Sequence, residues 1–261
     1  MGIYNQRYHG AIHRAVESIL AQTFTDFEFI IYDDGSKPEV SAEIRALKEL
    51  DPRITVIGSD ENQGLAFSLN QCLYKARGRF KARMDADDVS LPERLEVEHE
   101  FLLTHPEYDW CGCNATVYDE KGEWGHTTRP EIPQLRDYMR YSPYIHPTVM
   151  YRAEVFERAG GYDDGKQTLR CEDYEIFMRL YQEGMLGYNI QKELLKYYTD
   201  RGDYHERDFR YRVYEAQVRY RNYKKMGVLF PLGWLYCLRP VAGTFVPKGL
   251  IEKIKGRKAS L

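Results

Sequence analysis

Acidic residues with alternate spacing follow a predicted buried strand. Asp85, Asp87 and Asp88 come directly after the strand predicted at residues 79–84. Alternate carboxylates at the end of a strand can share one divalent cation, and hard oxygen ligands suit Mg2+ or Mn2+. Aspartate is also common in loops that precede helices, where its role is structural. The spacing alone leaves both interpretations open.

A second acidic turn lies earlier in the chain. Asp33 and Asp34 follow the strand predicted at residues 27–32 and precede a Gly-Ser pair. Such a sequence is often only a turn, but its carboxylates could bind the polar edge of a base and a ribose. Gly64 lies in a turn that enters a helix, where it permits a positive φ angle or the close approach of a ligand.

Other charged residues have both a structural and a chemical interpretation. Arg83 could donate to a diphosphate or form a salt bridge with a neighbouring aspartate. Glu172 and Asp173 open a predicted helix, where the helix dipole favours acidic residues, but a carboxylate facing a cleft could act as a general base. His146 is a weaker candidate because a lone histidine is usually structural.

The elements that must position these residues alternate in type along the first half of the chain. The order β-α-β-α predicts a parallel sheet covered by helices, and such sheets bind ligands at the carboxyl ends of their strands. Both acidic turns fall at that edge, and stability alone does not explain this because like charges repel. The predicted helices are residues 11–20, 39–50, 65–73 and 92–103, and the predicted strands are 27–32, 53–57 and 79–84.

The second half has a less regular pattern. Strands are predicted at residues 108–119 and 147–151, and helices at 172–183 and 206–226. Cys111 and Cys113 have no second pair at zinc-site spacing and are predicted to be core strand residues. Five cysteines do not suggest a disulfide framework, which fits a reducing cytoplasm, and no signal-peptide pattern is present.

Composition indicates an ordinary globular protein with an unusual end. The chain has 261 residues and a net charge of -3, so nucleic-acid binding by the whole chain is not expected. From Arg239 to the C-terminus, six basic residues stand against Glu252 alone. The apolar stretch at residues 228–238 is too short to span a bilayer. With the basic tail it could rest on an anionic membrane, or the tail could be a solvated end packed on the domain.

The ordered motifs together resemble family 2 of the glycosyltransferases, whose members have the GT-A fold. The resemblance covers roughly residues 1–200 and gains its specificity from the order of the motifs. The matching motifs are Gly2-Ile3-Tyr4-Asn5, Ser18-Ile19-Leu20-Ala21-Gln22-Thr23-Phe24, Ile31-Tyr32-Asp33-Asp34-Gly35-Ser36, Asn62-Gln63-Gly64-Leu65, Ala82-Arg83-Met84-Asp85-Ala86-Asp87-Asp88, His146-Pro147-Thr148, Gly160-Gly161-Tyr162 and Glu172-Asp173-Tyr174.

The resemblance implies an α/β fold with a Rossmann-like, mostly parallel central sheet flanked by helices. Residues 1–200 would form the GT-A catalytic domain, with a nucleotide-sugar half at about 1–105 and an acceptor half at about 106–200. Residues 201–261 would be a basic, aromatic helical extension, as in bacterial cell-surface polysaccharide transferases.

The resemblance also implies roles for residues around the donor nucleotide. Tyr4 and the Asp33-Asp34 turn would line the uridine pocket, and Asn5 and Gly64 would border the same site.

Further roles follow for the diphosphate and the reaction. Asp85 would face the ribose, and Asp87, with Asp85 as a second candidate ligand, would hold the metal that bridges the diphosphate. Arg83 and His146 would lie near the diphosphate or the acceptor. Asp173 matches the catalytic base of inverting members, and Glu172 is its rival.

One feature departs from the family pattern. Members usually have an apolar first strand ahead of the Tyr-Asn turn, whereas this sequence starts at Met1 inside that turn, so most of the strand is expected to be absent. A missing central strand would expose backbone groups and apolar faces of its neighbours.

The sequence therefore predicts an inverting, metal-dependent transferase that uses Mn2+ or Mg2+. It would move a sugar from a UDP-sugar to a hydroxyl of a saccharide or lipid-linked acceptor, in the cytoplasm or at the inner face of the plasma membrane. One alternative is a non-catalytic binding subunit that kept the fold, against which Asp87 and Asp173 argue. The other is a nucleotidyltransferase, which should carry a Gly-rich basic loop for a triphosphate near its N-terminus. This sequence has no such loop, which counts against that alternative.

Overall fold

The first layer of the fold is a parallel sheet. The computed structural model describes residues 1–6, 10–201 and 208–245, except for the side chain of Phe245. Strands β1 (Gly2–Ile3), β2 (Phe29–Asp34) and β3 (Ile54–Ser59) lie side by side in that order, all parallel. Every residue of β2 is buried, as expected for a central parallel strand covered on both faces.

Three helices connect and cover this sheet. They are α1 (Ala11–Leu20), α2 (Pro38–Ala46), which continues into a 3-10 turn at Leu47–Glu49, and α3 (Leu65–Lys75). The buried residues of α1 recur at helical spacing, so one apolar stripe faces the core. The predicted order of helices and strands in this half is confirmed, but the strand predicted at residues 79–84 does not join this parallel sheet. It pairs antiparallel in the second sheet with a strand from the second half of the chain, a long-range pairing that local periodicity does not show.

The second sheet is mixed. Its strands are β4 (Phe80–Ala82), β5 (Val89–Ser90), β6 (Trp110–Asp119), β7 (Gly122–Thr127), β8 (Met150–Arg152) and β9 (Gly187–Tyr198). Helices α4 (Arg94–Thr104), α5 (Leu135–Arg140), α6 (Ala153–Ala159) and α7 (Glu172–Gln182) accompany it. The strands lie in the order β4-β8-β6-β9-β5, with β7 beside β6, and only the pair β6 and β9 is parallel.

The second half differs from the sequence prediction in several elements. Pro147 lies in a 3-10 turn, His146–Thr148, and the strand begins only at Met150. Proline has a fixed φ and no N–H to donate to a sheet, so the strand prediction for residues 147–149 was wrong. Strands β7 and β9 and helix α5 were not predicted. The middle of β9 is polar and lies where its register with β6 shifts, which disrupts the alternation that marks a strand.

The C-terminal helices pack on the part of the chain that holds the two sheets. Helix α8 (Phe209–Lys225) is followed by a short irregular segment, Leu229–Gly233, and by α9 (Trp234–Ala242). The Tyr174 and Tyr223 hydroxyls lie 3.0 Å apart, and the Arg219 guanidinium covers the Tyr174 ring at 4.5 Å. The helical extension is therefore confirmed as far as residue 245. The basic tail at 246–261 and the predicted helix start at residue 206 lie outside the described residues.

The cysteines and the helix lengths agree with the sequence interpretation. All five cysteines are free and buried, and Cys111 and Cys113 lie within β6, which confirms them as core strand residues. In the ranges that the structure describes, no helix combines the length and the apolar character needed to cross a bilayer.

A cavity separates the two sheets beside the short first strand. Its volume is about 700 Å3, and its lining includes Phe29 and Ile30 of β2 and Phe80 of β4. Strand β1 pairs with β2 over two residues only. The Met1 amino nitrogen donates to the Ile30 carbonyl at 2.8 Å, just where the cavity begins. The cavity therefore lies beside the end of β1 at which the pairing with β2 begins.

Candidate active site

The turn after β1 is tied to the turn after β2. The Asn5 N–H donates to Ser36 Oγ at 3.1 Å, and the Lys37 N–H donates to Asn5 Oδ1 at 2.8 Å. Asn5 has a φ of 45°, a left-handed conformation that asparagine tolerates better than most residues. Tyr4 stays exposed beside this junction. Tyr4 and Asn5 therefore border the same edge as the Asp33-Asp34 sequence.

The two aspartates at the end of β2 have different surroundings. Both lie within the strand rather than in the turn after it, and both are buried. The Asp34 carboxylate accepts bonds from Asn62 Nδ2, Gln63 N and Gly64 N at 2.8, 2.9 and 2.8 Å, so it holds the loop ahead of α3. Asp33 accepts from the Ser36 N–H at 3.1 Å.

Two glycines at this edge cannot easily be replaced. Gly35 has a φ of +71°, and a Cβ there would lie 2.5 Å from the carbonyl carbon of Glu61. Gly64 has a φ of +96° at the start of α3. Both residues meet the conformational requirement for which glycine is suited, and Gly35 lets two loops touch.

Arg83 organises the acidic segment after β4. Its buried guanidinium donates to Asp85 Oδ1 at 2.6 Å and also to the carbonyl of Met84. Of the two interpretations of Arg83, the structure contains the internal salt bridge. The Asp85 side chain keeps 28% of its surface exposed, so it can face a ligand while Arg83 holds it from behind.

The three acidic residues Asp85, Asp87 and Asp88, here called the aspartate cluster, differ in burial. Asp87 is half-buried and takes a hydrogen bond from the Gln6 side chain, and burial together with the charge of Asp85 raises its pKa to about 6. Asp88 is fully buried: Oδ1 accepts from the Tyr198 N–H at 2.8 Å, and Oδ2 has no hydrogen-bond partner among the residues that the structure describes. Burial and the other two carboxylates raise the pKa of Asp88 as well.

The aspartate cluster fits a divalent cation that takes part of its coordination shell from a ligand. In the described part of the chain, no group of three or more His, Cys, Asp or Glu side chains could hold a metal. Two half-exposed carboxylates, Asp85 and Asp87, are nevertheless the protein ligands that Mg2+ commonly takes when phosphate and water oxygens complete the shell. The pKa of Asp87 is raised first by burial and then by the charge of Asp85, and a bound cation would neutralise that negative charge.

Glu172 and Asp173, the helix-start pair, form the first turn of α7. Burial and the charge of Asp173 raise the pKa of Glu172 to about 7. Asp173 lies within electrostatic range of Arg129, Tyr162 and Tyr197. Asp173 therefore lies near these three side chains.

Tyr197 of β9 links the two carboxylate groups. Its hydroxyl lies within electrostatic range of all three members of the aspartate cluster and of Asp173. Burial is the main cause that raises the pKa of Tyr197, and these charges add to it. The aspartate cluster and Asp173, which are more than eighty residues apart in sequence, thus lie within electrostatic range of the same tyrosine.

His146 is buried close to Arg83 and does not face solvent. The side chain is buried, and its Nε2 is 2.9 Å from the Tyr162 hydroxyl. Burial and the nearby positive charge of Arg83 lower the pKa of His146, so the ring is neutral at pH 7. Tyr162 is itself clamped to α3, since its N–H donates to Asn70 Oδ1 at 2.7 Å.

The sequence did not point to Gln6, Tyr118 or Tyr197 as site residues. Gln6 contacts Asp87, and the Tyr118 hydroxyl donates to the Asp87 carbonyl at 2.6 Å. The position of Gln6 directly after the Tyr-Asn turn was an available signal. Tyr118 and Tyr197 are brought in by strand pairing, which no local motif marks.

The fold combines a parallel first sheet, a mixed second sheet and an acidic edge between them. This is the architecture of a glycosyltransferase with the GT-A fold. The family described as Glycosyl transferase family 2 matches residues 1–160 of this sequence. The chain belongs to this family and is a glycosyltransferase.

Two relatives extend the similarity along the chain. EpsE of Bacillus subtilis (strain 168), provisionally described as a glycosyltransferase, is 33% identical over 258 residues, covering 97% of this chain and 90% of EpsE. The O-antigen biosynthesis glycosyltransferase WbnJ of Escherichia coli is 31% identical over 196 residues, covering 73% of this chain and 75% of WbnJ.

Two solved structures share the fold at low sequence identity. S. aureus TarS 1-349 in complex with UDP-GlcNAc has a TM-score of 0.66 and 17% identity, covering 93% of this chain and 69% of that one. The mannosyltransferase PcManGT from Pyrobaculum calidifontis, in complex with GDP-Man and Mn2+, has a TM-score of 0.64 and 16% identity, covering 100% of this chain and 79% of that one. The predicted GT-A fold is confirmed.

Proposed function

We propose that this glycosyltransferase moves a sugar from a UDP-sugar to a hydroxyl of a saccharide or lipid-linked acceptor with inversion of the anomeric centre. The observation that carries the proposal is that the aspartate cluster and Asp173 all lie within electrostatic range of Tyr197. One carboxylate group can serve the departing diphosphate, and the other can serve the incoming hydroxyl. A single displacement needs these two functions within one pocket.

The donor end of the proposal rests on the edge formed by β1 and β2. Tyr4, Asn5 and Asp33 border the space in which the nucleoside would lie, and Asp34 and Gly64 hold the adjoining loop. TarS, which is similar in fold, is seen with UDP-GlcNAc, and PcManGT with GDP-Man and Mn2+. The family resemblance favours uridine among these bases.

The metal part of the proposal assigns Asp85 and Asp87 as ligands of Mn2+ or Mg2+. A bound divalent cation would act as a Lewis acid that neutralises charge on the diphosphate. Asp85 is oriented for this by Arg83 at 2.6 Å, and Asp87 is oriented by the hydrogen bond from Gln6. Asp88, tied to the backbone of β9, fixes the loop that carries both ligands.

The acceptor part of the proposal assigns Asp173 as the general base. An acceptor hydroxyl is a poor nucleophile until a carboxylate within hydrogen-bond reach takes its proton. The pKa of Glu172 is raised to about 7, partly by the charge of Asp173, so Glu172 is partly protonated at neutral pH. A carboxyl with a pKa near the working pH is also suited to proton transfer, so Glu172 stays the rival base. The family resemblance favours Asp173 as the proton acceptor, with Glu172 orienting the acceptor.

The biological setting of the proposal is the synthesis of a cell-surface polysaccharide. Relatives carry names from O-antigen, amylovoran and teichuronic acid biosynthesis. We place the reaction in the cytoplasm, at the inner face of the plasma membrane, where a lipid-linked acceptor would be held.

A donor screen tests the proposal. The full chain is incubated with a panel of UDP-, GDP- and dTDP-sugars, with and without Mn2+, and slow hydrolysis is followed by release of the nucleoside diphosphate. We expect metal-dependent hydrolysis of a UDP-sugar, with Asp87→Ala as the inactive control. Hydrolysis of a GDP- or dTDP-sugar alone would move the donor assignment, and equal turnover with a chelator would refute the metal assignment.

A further inference from the structure

The outer face of α9 is apolar where a surface helix is usually polar. Trp234, Leu235 and Leu238 keep 43%, 47% and 52% of their surface exposed. Cys237 and Pro240, on the opposite side of the helix, are buried. The helix therefore rests on the protein through one side and presents large apolar side chains to the outside on the other.

The exposed apolar surface continues into the segment that precedes α9. Phe230 and Leu232 are 76% and 58% exposed. Single exposed apolar residues are normal on any protein, but a group of them on one short segment marks an interaction surface. These five residues, Phe230, Leu232, Trp234, Leu235 and Leu238, are called the apolar patch below.

The apolar patch lies in a stretch of chain without negative charge. No acidic residue occurs between Glu215 and Glu252. Lys224 and Lys225 are exposed just before the patch, and Arg239 is exposed just after it. The residues that flank the patch in the sequence, called its basic rim below, are therefore positive. Five more basic residues follow Arg239 in the sequence beyond the described part of the chain.

Two other arginines of α8 do not belong to this rim. Arg219 pairs with Glu215 at 2.8 Å, and Arg221 pairs with Asp163 at 3.0 Å. These ion pairs tie α8 to itself and to the catalytic part. The exposed rim cations and these paired arginines are thus distinct sets.

We propose that the apolar patch and its basic rim dock on an anionic lipid bilayer, with α9 lying in the plane of the interface. Apolar side chains would enter the boundary between headgroups and acyl chains, where tryptophan is favoured. Lysine and arginine can extend their stems along this surface and hold their charges at the anionic headgroups. The inference rests on the membrane location in the proposed function and names the surface responsible.

A second copy of the chain fits this surface less well. A two-fold symmetric contact places the same patch on both sides. It would bring two basic rims together with no acidic residue of the segment to neutralise them, and like charges facing each other oppose association. An anionic bilayer matches the apolar centre and the positive rim at once.

Docking through this patch would also fix the orientation of the active site. The Arg219 guanidinium donates to the Met139 carbonyl at 2.8 Å, and Tyr223 donates to the same carbonyl at 2.7 Å. These bonds join α8 to the catalytic part, and α9 packs on α8. The helical extension can therefore hold the pocket at a constant height above the bilayer.

Vesicle flotation of the full chain tests the proposal. Wild type is compared on neutral phosphatidylcholine vesicles and on vesicles with about 30 mol% phosphatidylglycerol. The apolar variant is Trp234→Ser/Leu238→Ser, the charge variant is Lys224→Gln/Lys225→Gln, and the matched control is Leu50→Ser/Tyr74→Ser, which removes exposed apolar side chains elsewhere. Folding of each variant is checked by thermal unfolding.

We expect wild type and control to float with anionic vesicles. The partition coefficient should fall about tenfold or more in the apolar variant and severalfold in the charge variant, with a further loss at about 0.5 M salt. Equal flotation of all proteins, or of none, would overturn the proposal. So would a concentration-dependent dimer that the apolar variant abolishes without any flotation of wild type.

Brominated-lipid quenching keeps the test decisive if the apolar variant unfolds. In a Trp124→Phe protein the remaining tryptophans are Trp110, which is fully buried, and Trp234. Quenching on anionic vesicles would report insertion of Trp234, and its absence would contradict the proposal. Both readouts measure binding without turnover. A protein that floats but transfers no sugar would therefore refute the proposed function and leave the docking surface standing. An active protein that does not float would refute the docking surface and leave the proposed function standing.

Discussion

The guanidinium of Arg83 donates to Asp85 Oδ1 at 2.6 Å from a fully buried position. Although burial opposes its charge, the carboxylate of Asp85 raises the pKa of Arg83, so the guanidinium stays charged. The same guanidinium lies within electrostatic range of Glu172 and His146. One buried cation therefore supports the aspartate cluster from behind and also influences the helix-start pair.

Replacing Arg83 should weaken both the fold and donor binding. Arg83→Gln leaves the Asp85 carboxylate without its partner, and loss of one member of a buried pair destabilises a protein by about 3 kcal/mol. We expect this loss in denaturant unfolding and at least a tenfold weaker UDP affinity with Mn2+ by calorimetry. Arg83→Lys, which keeps the charge, should recover part of both. Unchanged UDP affinity in a stable Arg83→Gln protein would contradict the supporting role.

The raised pKa of Asp87 predicts a pH-dependent stability. A carboxyl whose pKa is higher in the folded than in the unfolded state binds an extra proton between the two values, so stability falls as pH rises through that window. For Asp87 without metal the window runs from 3.8 to about 6.

Thermal unfolding between pH 4 and pH 7 checks this directly. Relative to Asp87→Asn, the metal-free wild type should lose stability as pH rises, and saturating Mn2+ should restore it above pH 6. Mn2+ affinity should weaken as pH falls below about 6, because protons compete for the ligand. A parallel pH profile for wild type and Asp87→Asn, with no effect of Mn2+, would contradict this account of the site.

The helix-start pair can be dissected by two conservative variants. Asp173→Asn keeps the size of the side chain and removes its basicity, so transfer should fall by about 100-fold or more while UDP-sugar affinity stays nearly constant. Glu172→Gln should affect acceptor KM more than kcat. Steady-state kinetics with a saccharide acceptor and calorimetry with the donor give both quantities. An active Asp173→Asn enzyme beside an inactive Glu172→Gln enzyme would move the base to Glu172.

Gly35 should be far more sensitive to substitution than another glycine of positive φ. Gly35→Ala combines an unfavourable φ of +71° with a contact of 2.5 Å to Glu61, so we expect a loss of about 3 kcal/mol in urea unfolding. Gly122 has a φ of +108° but open space around its Cβ position, so Gly122→Ala should lose about 1 kcal/mol. Equal losses would show that the two loops do not touch in solution.

Filling the cavity between the sheets should stabilise the fold. An apolar extension of about four residues ahead of Met1 could continue β1 between Phe29 of β2 and Phe80 of β4. Because it would bury apolar surface, we expect the midpoint of thermal unfolding to rise by about 4 °C or more. A Gly-Ser extension of equal length is the control. The same midpoint for both extensions would mean that the cavity does not accept a strand.

Local chemistry made part of the site predictable from the sequence. Asp85 and Asp87 lie two residues apart directly after a strand, and Glu172 lies at a clear helix start. Short segments of sequence therefore sufficed to predict where these carboxylates lie in the fold. The alternation of helices and strands also gave the parallel first sheet. The role of Asp34 as the anchor of the loop before α3 did not follow, because its three donors lie about thirty residues away.

The meeting of distant elements was beyond local patterns. Tyr197 reaches the aspartate cluster because β9 pairs with β5 and β6, and the irregular, polar middle of β9 conceals the strand. Gln6 contacts Asp87 through the packing of the first turn against the loop after β4. Such long-range pairings depend on the whole fold. Local sequence patterns therefore predicted the carboxylates but not the side chains that orient them.

The anomeric configuration of the first product tests the central claim most directly. With a UDP-α-sugar donor, Mn2+ and a saccharide acceptor, the product is analysed by proton NMR before it can equilibrate. A single displacement with Asp173 as the base predicts a β-linked product from wild type. An α-linked product would contradict the inverting mechanism and with it the assignment of Asp173 as the general base.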